Sequence, residues 1–229
     1  MRIHFILSHP AVPENIGFAC RAMKTMGFDD LILINPVDHL DQKALKTAYA
    51  SHDVLKSARI CSNLSEAVEG MDLVLGTTAK NRVNRHDYYT PTELDQVLKS
   101  KVEVVTNVAL VFGSEKNGLS NQEVELCDLL TTVPLNTKHP SLNLAQAVMI
   151  YAYELSQTDL TQRTTGATND TMEHQKQLKS RAVELLDYLE VSKQHSLYQR
   201  LKDRLMSASA EDTSLLLSLS RFLKRKFDN

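Results

Sequence analysis

The 229-residue chain is 42% hydrophobic and 24% charged, a balance typical of soluble globular domains and unlike that of disordered chains. Its longest early apolar run, Ile3 to Leu7, is too short for a signal-peptide core or a membrane span, which predicts a cytoplasmic protein. The net charge of −2 argues against a uniformly basic nucleic-acid binder but hides a split: residues 1–172 hold 15 Lys and Arg against 20 Asp and Glu, and residues 173–229 hold 11 against 8.

The basic C-terminal part either meets a polyanion or simply carries cations on the wet face of amphipathic helices. Cys20, Cys61 and Cys127 are odd in number, far apart and form no CxxC, which predicts reduced thiols rather than disulfides or zinc. The histidines show no HxxxH or HxH pair, so no metal site is expected.

Short aliphatic runs at 3–7, 31–34, 73–75, 108–112 and 130–133 read as strands. Runs this apolar belong to strands covered on both faces, and their alternation with helical stretches predicts an α/β fold with a parallel sheet. Ile16, Ala19, Met23 and Met26 follow helical spacing, and Gly27 stops that helix. Thr90-Pro91-Thr92-Glu93 and Ser120-Asn121-Gln122-Glu123 are capping boxes, each announcing a helix. Residues 158–172 are almost devoid of apolar side chains and read as a linker. It separates a domain at 1–157 from a helical extension at 173–229, with Leu-rich helices over about 173–191, 195–208 and 211–227 whose faces need cover from the main domain or a second subunit.

In an open parallel sheet, ligands bind beyond the C-terminal strand ends. Here those ends carry Ser8-His9-Pro10, Thr77-Thr78-Ala79, the loop Gly113–Ser120 and, past the last strand, Lys138 to Asn143. Gly113 and Gly118 fall as in a phosphate-binding loop, but Leu119 stands where the lysine belongs and Glu115 would repel phosphates. The loop is therefore either a tight turn or a place where backbone approaches another kind of ligand. Arg21 lies off the apolar stripe of its helix and points to solvent, a ligand or a partner. Lys80, Arg82 and Arg85 form a basic stretch that either holds phosphates or is a charged surface loop. Pro140-Ser141-Leu142-Asn143 offers Ser141 or Asn143 as a helix cap.

The segments PENIGFACRAMKTMG (13–27), VALVFGSEKNGLS (108–120) and PSLNLAQAV (140–148), in this order and spacing, resemble the three motifs of SPOUT-superfamily RNA ribose 2′-O-methyltransferases, and among them the TrmJ type, tRNA (cytidine/uridine-2′-O)-methyltransferases. The likeness covers about residues 1–157, with a looser match over the helical extension. It implies a C-terminal trefoil knot, a homodimer whose active sites are completed across the interface, and S-adenosylmethionine (SAM) as methyl donor. It implies a cofactor site at Thr77, Thr78, Ala79, Gly113, Gly118, Val133, Pro140, Ser141 and Leu142. Asn15, Arg21, Glu115, Ser141 and Asn143 match the catalytic positions, with Glu115 placed to orient Arg21. Arg21, Lys80, Arg82 and Arg85 are the expected RNA contacts. His139 departs from the aromatic residue often found there, and His9-Pro10-Ala11-Val12-Pro13 is unusually Pro-rich. The implied reaction is methylation of the ribose 2′-hydroxyl of a pyrimidine in the tRNA anticodon loop. The alternatives are another tRNA position, rRNA, or a non-catalytic RNA-binding protein of the same fold.

Overall fold

The computed structural model describes residues 1–79, 88–101, 105–137 and 141–157, together with nine helical positions between Gln177 and Leu219. Seven strands form one all-parallel sheet: β1 (Arg2–Ser8), β2 (Leu31–Ile34), β3 (Arg59–Cys61), β4 (Leu73–Thr77), β5 (Tyr88–Tyr89), β6 (Asn107–Phe112) and β7 (Leu129–Thr131). Their order is β3-β2-β1-β6-β4-β7-β5. The five strands expected from the sequence are present, although β7 ends at Thr131 and leaves Thr132 and Val133 in the following loop. The two unexpected strands, β3 and β5, are the edges of the sheet.

The strands are apolar throughout because both faces are covered. Ile3, Phe5 and Leu7 of β1 and Val108, Leu110 and Phe112 of β6 enter one core, while Ile6, Ala109 and Val111 enter the other. The first core is closed by α1 (Pro13–Thr25), α2 (Gln42–Thr47), α3 (His52–Lys56), α5 (Pro91–Ser100) and α7 (Leu144–Ser156). The second lies under α4 (Leu64–Ala67) and α6 (Asn121–Leu126).

Local chemistry sets the helix ends. Thr90 with Glu93, and Ser120 with Glu123, make the expected capping boxes. Asn143, rather than Ser141, caps α7, accepting from Ala145 N–H at 2.9 Å while its own N–H donates to Gln146. Gly27, at φ +86°, follows the end of α1. Gly17 allows α1 to lie directly on α2, since a Cβ there would sit 2.3 Å from the Ala44 carbonyl oxygen. All three cysteines are buried and unbridged. Among the described residues no helix is long and apolar enough to cross a membrane.

Lys101, at the end of α5, is fully buried. Burial, opposed by Asp128, pulls its ammonium down from 10.5 to about 8. Between those values the unfolded chain holds more protons at this residue than the folded one, so its contribution to stability rises with pH. Cys20, pushed up from 9.0 to about 12 by burial, opposes that gain only above about pH 9. Unfolding free energies from urea titrations should therefore rise by up to roughly 1 kcal/mol from pH 8 to 9, and Lys101→Met should flatten that slope.

The expected linker at 158–172 lies outside the described residues. In the C-terminal region Gln177, Ser180 and Glu184, then Tyr198, then Asp212 to Leu219 are helical wherever described. Tyr198 is buried, whereas Leu215 and Leu219 are exposed.

Candidate active site

A cleft opens at the C-terminal ends of β4, β6 and β7. Thr77, Thr78 and Ala79 leave β4 along one wall, and Gly113 to Gly118 leave β6 along the next. Val133 and Leu135 follow β7, and Ser141 and Leu142 lead into α7. Thus Thr77, Thr78, Ala79, Gly113, Gly118, Val133, Ser141 and Leu142 all line one space, although the sequence scatters them over more than sixty positions. Pro140 and His139 lie outside the described residues, as do Lys80, Arg82 and Arg85.

The floor is aromatic. Phe112 stacks on Phe5 at 6.1 Å and meets the edge of Tyr151 at 5.6 Å. Thr131 gives its hydroxyl hydrogen to the Tyr89 carbonyl, so the Tyr151 hydroxyl donates to Thr131 Oγ1 at 2.9 Å. Burial pushes the Tyr151 phenol up, so it stays protonated at neutral pH. Thr78 N–H to the Thr131 carbonyl, at 3.0 Å, ties the first wall to the end of β7.

The β6 wall is a tight hairpin. Ser114 bridges Gly118, which sits at φ +67°. Glu115, at the hairpin's tip, accepts from Ala11 N–H at 2.9 Å, Val12 N–H at 3.3 Å and Asn15 Nδ2 at 3.0 Å. Asn15 Oδ1 in turn accepts from Asn143 Nδ2 at 2.8 Å. One polar chain therefore joins the start of α1, the β6 hairpin and the first turn of α7. Three of the expected catalytic residues, Asn15, Glu115 and Asn143, are its links, which makes them groups that hold the walls together. Asn15 is buried, and a buried polar side chain with both ends bonded is costly to leave half-satisfied.

Arg21 is placed elsewhere. It is exposed on α1, with its guanidinium 5.9 Å above the Tyr49 ring. The expected Arg21–Glu115 contact does not form within one chain among the described residues; Glu115 is turned to the start of α1 instead. Next to Arg21, Phe18 is also exposed, and on the neighbouring α7 so are Met149 and Tyr153.

A second polar cluster lies at the C-terminal ends of β1 and β2: Ser8 and His9, noted in the sequence as a strand end, with Asn35 and Glu123, which were not singled out. Its local signal is slight, a Ser-His-Pro at a strand end, because its members lie on separate elements.

The model of the SpoU rRNA methylase family matches residues 2–153. The chain belongs to that family. It is 42% identical over 217 residues to the protein named uncharacterized tRNA/rRNA methyltransferase LasT of Escherichia coli strain K12, covering 94% of each chain. It is 38% identical over 174 residues to the tRNA (cytidine/uridine-2′-O-)-methyltransferase TrmJ of Citrobacter koseri, covering 76% of this chain and 70% of that one. The crystal structure of TrmJ from Z. mobilis ZM4 superimposes with a TM-score of 0.65 at 29% identity, over 98% of this chain and all of the other. Membership accounts for the parallel sheet and for the cleft where three strand-end loops meet. The expected SPOUT fold and methyltransferase class stand on that match.

Proposed function

We propose that the protein transfers a methyl group from SAM to the ribose 2′-hydroxyl of a pyrimidine in the tRNA anticodon loop, acting as a homodimer. The observation that carries the reading is the convergence of the three strand-end loops on one cleft whose lining suits SAM. Backbone groups, the Thr77, Thr78 and Ser141 hydroxyls and apolar Val133, Leu135 and Leu142 make its walls. The acidic Glu115 at its rim favours a sulfonium over a polyphosphate. The strand order, with β4 between the later strands β6 and β7, supports the knotted topology that the resemblance implies.

SAM supplies an electrophilic methyl carbon when bound. The rest of the task falls to the chain: holding the methyl carbon and the 2′-oxygen in line, which contributes much of the rate. The Glu115–Asn15–Asn143 chain holds two cleft walls against α1 for that purpose. Arg21 grips the RNA backbone or polarises the 2′-oxygen, since a guanidinium remains protonated. The exposed Phe18, Met149 and Tyr153 beside Arg21 support a partner subunit over this face, bringing Arg21 to the partner's cleft. The exposed Leu215 and Leu219 support further cover for the C-terminal helices.

Methylation of rRNA is the second reading, supported by the family's name and by the LasT relative, whose name joins tRNA and rRNA. Calorimetry with SAM separates both from a non-catalytic RNA-binding role. An enzyme gives a saturable heat of binding, and a protein without the cofactor site gives none.

A further inference from the structure

The turn between α2 and α3 presents one aromatic ring to solvent. Ala48 and Ser51, at its two ends, are buried, and the Ser51 N–H and hydroxyl both donate to the Ala48 carbonyl at 2.9 Å. Between them Ala50 sits at φ +60°, in the left-handed region that a residue with a Cβ keeps where its surroundings impose it. Tyr49 is thereby held out at 70% exposure. The turn is also firmly seated. Thr47 Oγ1, just before it, reaches the Glu14 carbonyl of α1 at 3.0 Å, and Gly17 lets the two helices touch.

The ring sits beside Arg21, whose guanidinium lies 5.9 Å above it. Helix geometry places it on one particular side of that residue. Gly17, four positions before Arg21 and on the same side of α1, packs on α2. Asn15 and Met26, on the opposite side, meet Asn143 and Ser156 of α7. Tyr49 therefore flanks Arg21 away from the exposed Met149 and Tyr153 of α7. The surroundings are basic. On α1 to α3, Lys24 pairs with Asp53 at 2.6 Å and Lys43 with Glu14 at 3.7 Å, and Arg21, Lys46 and Lys56 are in excess. An exposed ring among surplus cations offers a π-face for a base and charge for the phosphates on either side of it.

Resting on the methyltransferase reading, we infer that Tyr49 is a stacking platform for an unpaired base of the RNA, beside the nucleotide that Arg21 contacts. Whatever Arg21 grips, the neighbouring ring also meets. Every base has a π-face, so the platform holds the strand without reading its sequence. It does select structure. The bases of a loop can splay out onto an aromatic side chain, whereas those of a duplex are stacked inside the helix. The platform stands on α2 and α3, which are locked to α1, so a base held there fixes the strand relative to Arg21.

Tyr49→Trp is the direct probe, because the chain has no tryptophan and an indole keeps a stacking face. Its fluorescence should be quenched saturably by tRNA and left unchanged by inorganic polyphosphate, which offers charge without bases. Tyr49→Ala should weaken tRNA binding about fivefold to a hundredfold, and Tyr49→Phe should bind as the wild type does. The loss should fall on KM for tRNA and not on kcat. It should also be the same at every salt concentration, since stacking releases no counterions. Wild-type affinity in Tyr49→Ala, or an unquenched indole, overturns the assignment. So does a Tyr49→Ala loss confined to kcat, which would make the ring a support for Arg21. A shift from dimer to monomer in sedimentation overturns it too, by making the ring a subunit contact. A wild-type protein that binds neither SAM nor tRNA overturns the underlying reading and this inference with it.

Discussion

Gly113→Ala should weaken SAM binding by about tenfold to a hundredfold, the effect of roughly 1–3 kcal/mol of local overpacking. A Cβ at this position would stand 2.2 Å from the Gly118 carbonyl carbon and from the Leu119 nitrogen, both backbone atoms of the same hairpin. Backbone cannot swing aside as a long side chain does, so the hairpin must open. Its opening carries Glu115 away from Ala11, Val12 and Asn15, and through Asn15 loosens Asn143 at the start of α7. Two cleft walls therefore move together. Calorimetry with SAM reads the loss, and circular dichroism should show the sheet retained. Unchanged affinity would mean that this hairpin does not contact the cofactor.

Arg21→Ala should do the reverse: bind SAM normally and lose transfer. The residue is exposed and its contact with the Tyr49 ring is at the surface, so stability should change by less than about 0.5 kcal/mol. In the proposed role Arg21 faces developing charge on the substrate, and removing such a cation costs about a hundredfold to a thousandfold in rate. Arg21→Lys should recover little if the planar fork grips a phosphate, and more if charge alone matters. The proposed homodimer adds a further expectation, read in mixed dimers. Combining an Arg21→Ala subunit with a Gly113→Ala subunit restores one complete site if Arg21 serves its partner's cleft. Wild-type transfer by Arg21→Ala would end its assignment.

Much of the candidate cleft was legible in the sequence because its residues cluster at strand ends, where a parallel sheet puts its ligand. The runs that became β1, β2, β4, β6 and β7 announce strands covered on both faces, and the capping boxes at Thr90 and Ser120 locate two helices. The edge strands β3 and β5 were not legible. They span three and two residues, too few for any periodicity to register. Nor was the Glu115–Asn15–Asn143 chain, whose contacts join residues 100 and 128 positions apart. Spacing along a chain carries no signal for such contacts. It left Glu115 free to be paired with Arg21, whereas the fold pairs it with Asn15. His9 was placed at a strand end, but its partners were not legible for a related reason: Asn35 and Glu123 come from β2's end and from α6.

Ribose 2′-O-methylation of RNA can be read directly. Total tRNA and, in parallel, rRNA from a strain lacking the gene should be incubated with the protein and SAM, digested, and resolved by nucleoside mass spectrometry. The expected product is a new 2′-O-methylated cytidine or uridine in tRNA, mapping to the anticodon loop and missing with Arg21→Ala. A new 2′-O-methyl group confined to rRNA would select the second reading, and no new 2′-O-methyl nucleoside in either RNA would rule out 2′-O-methyl transfer by this protein.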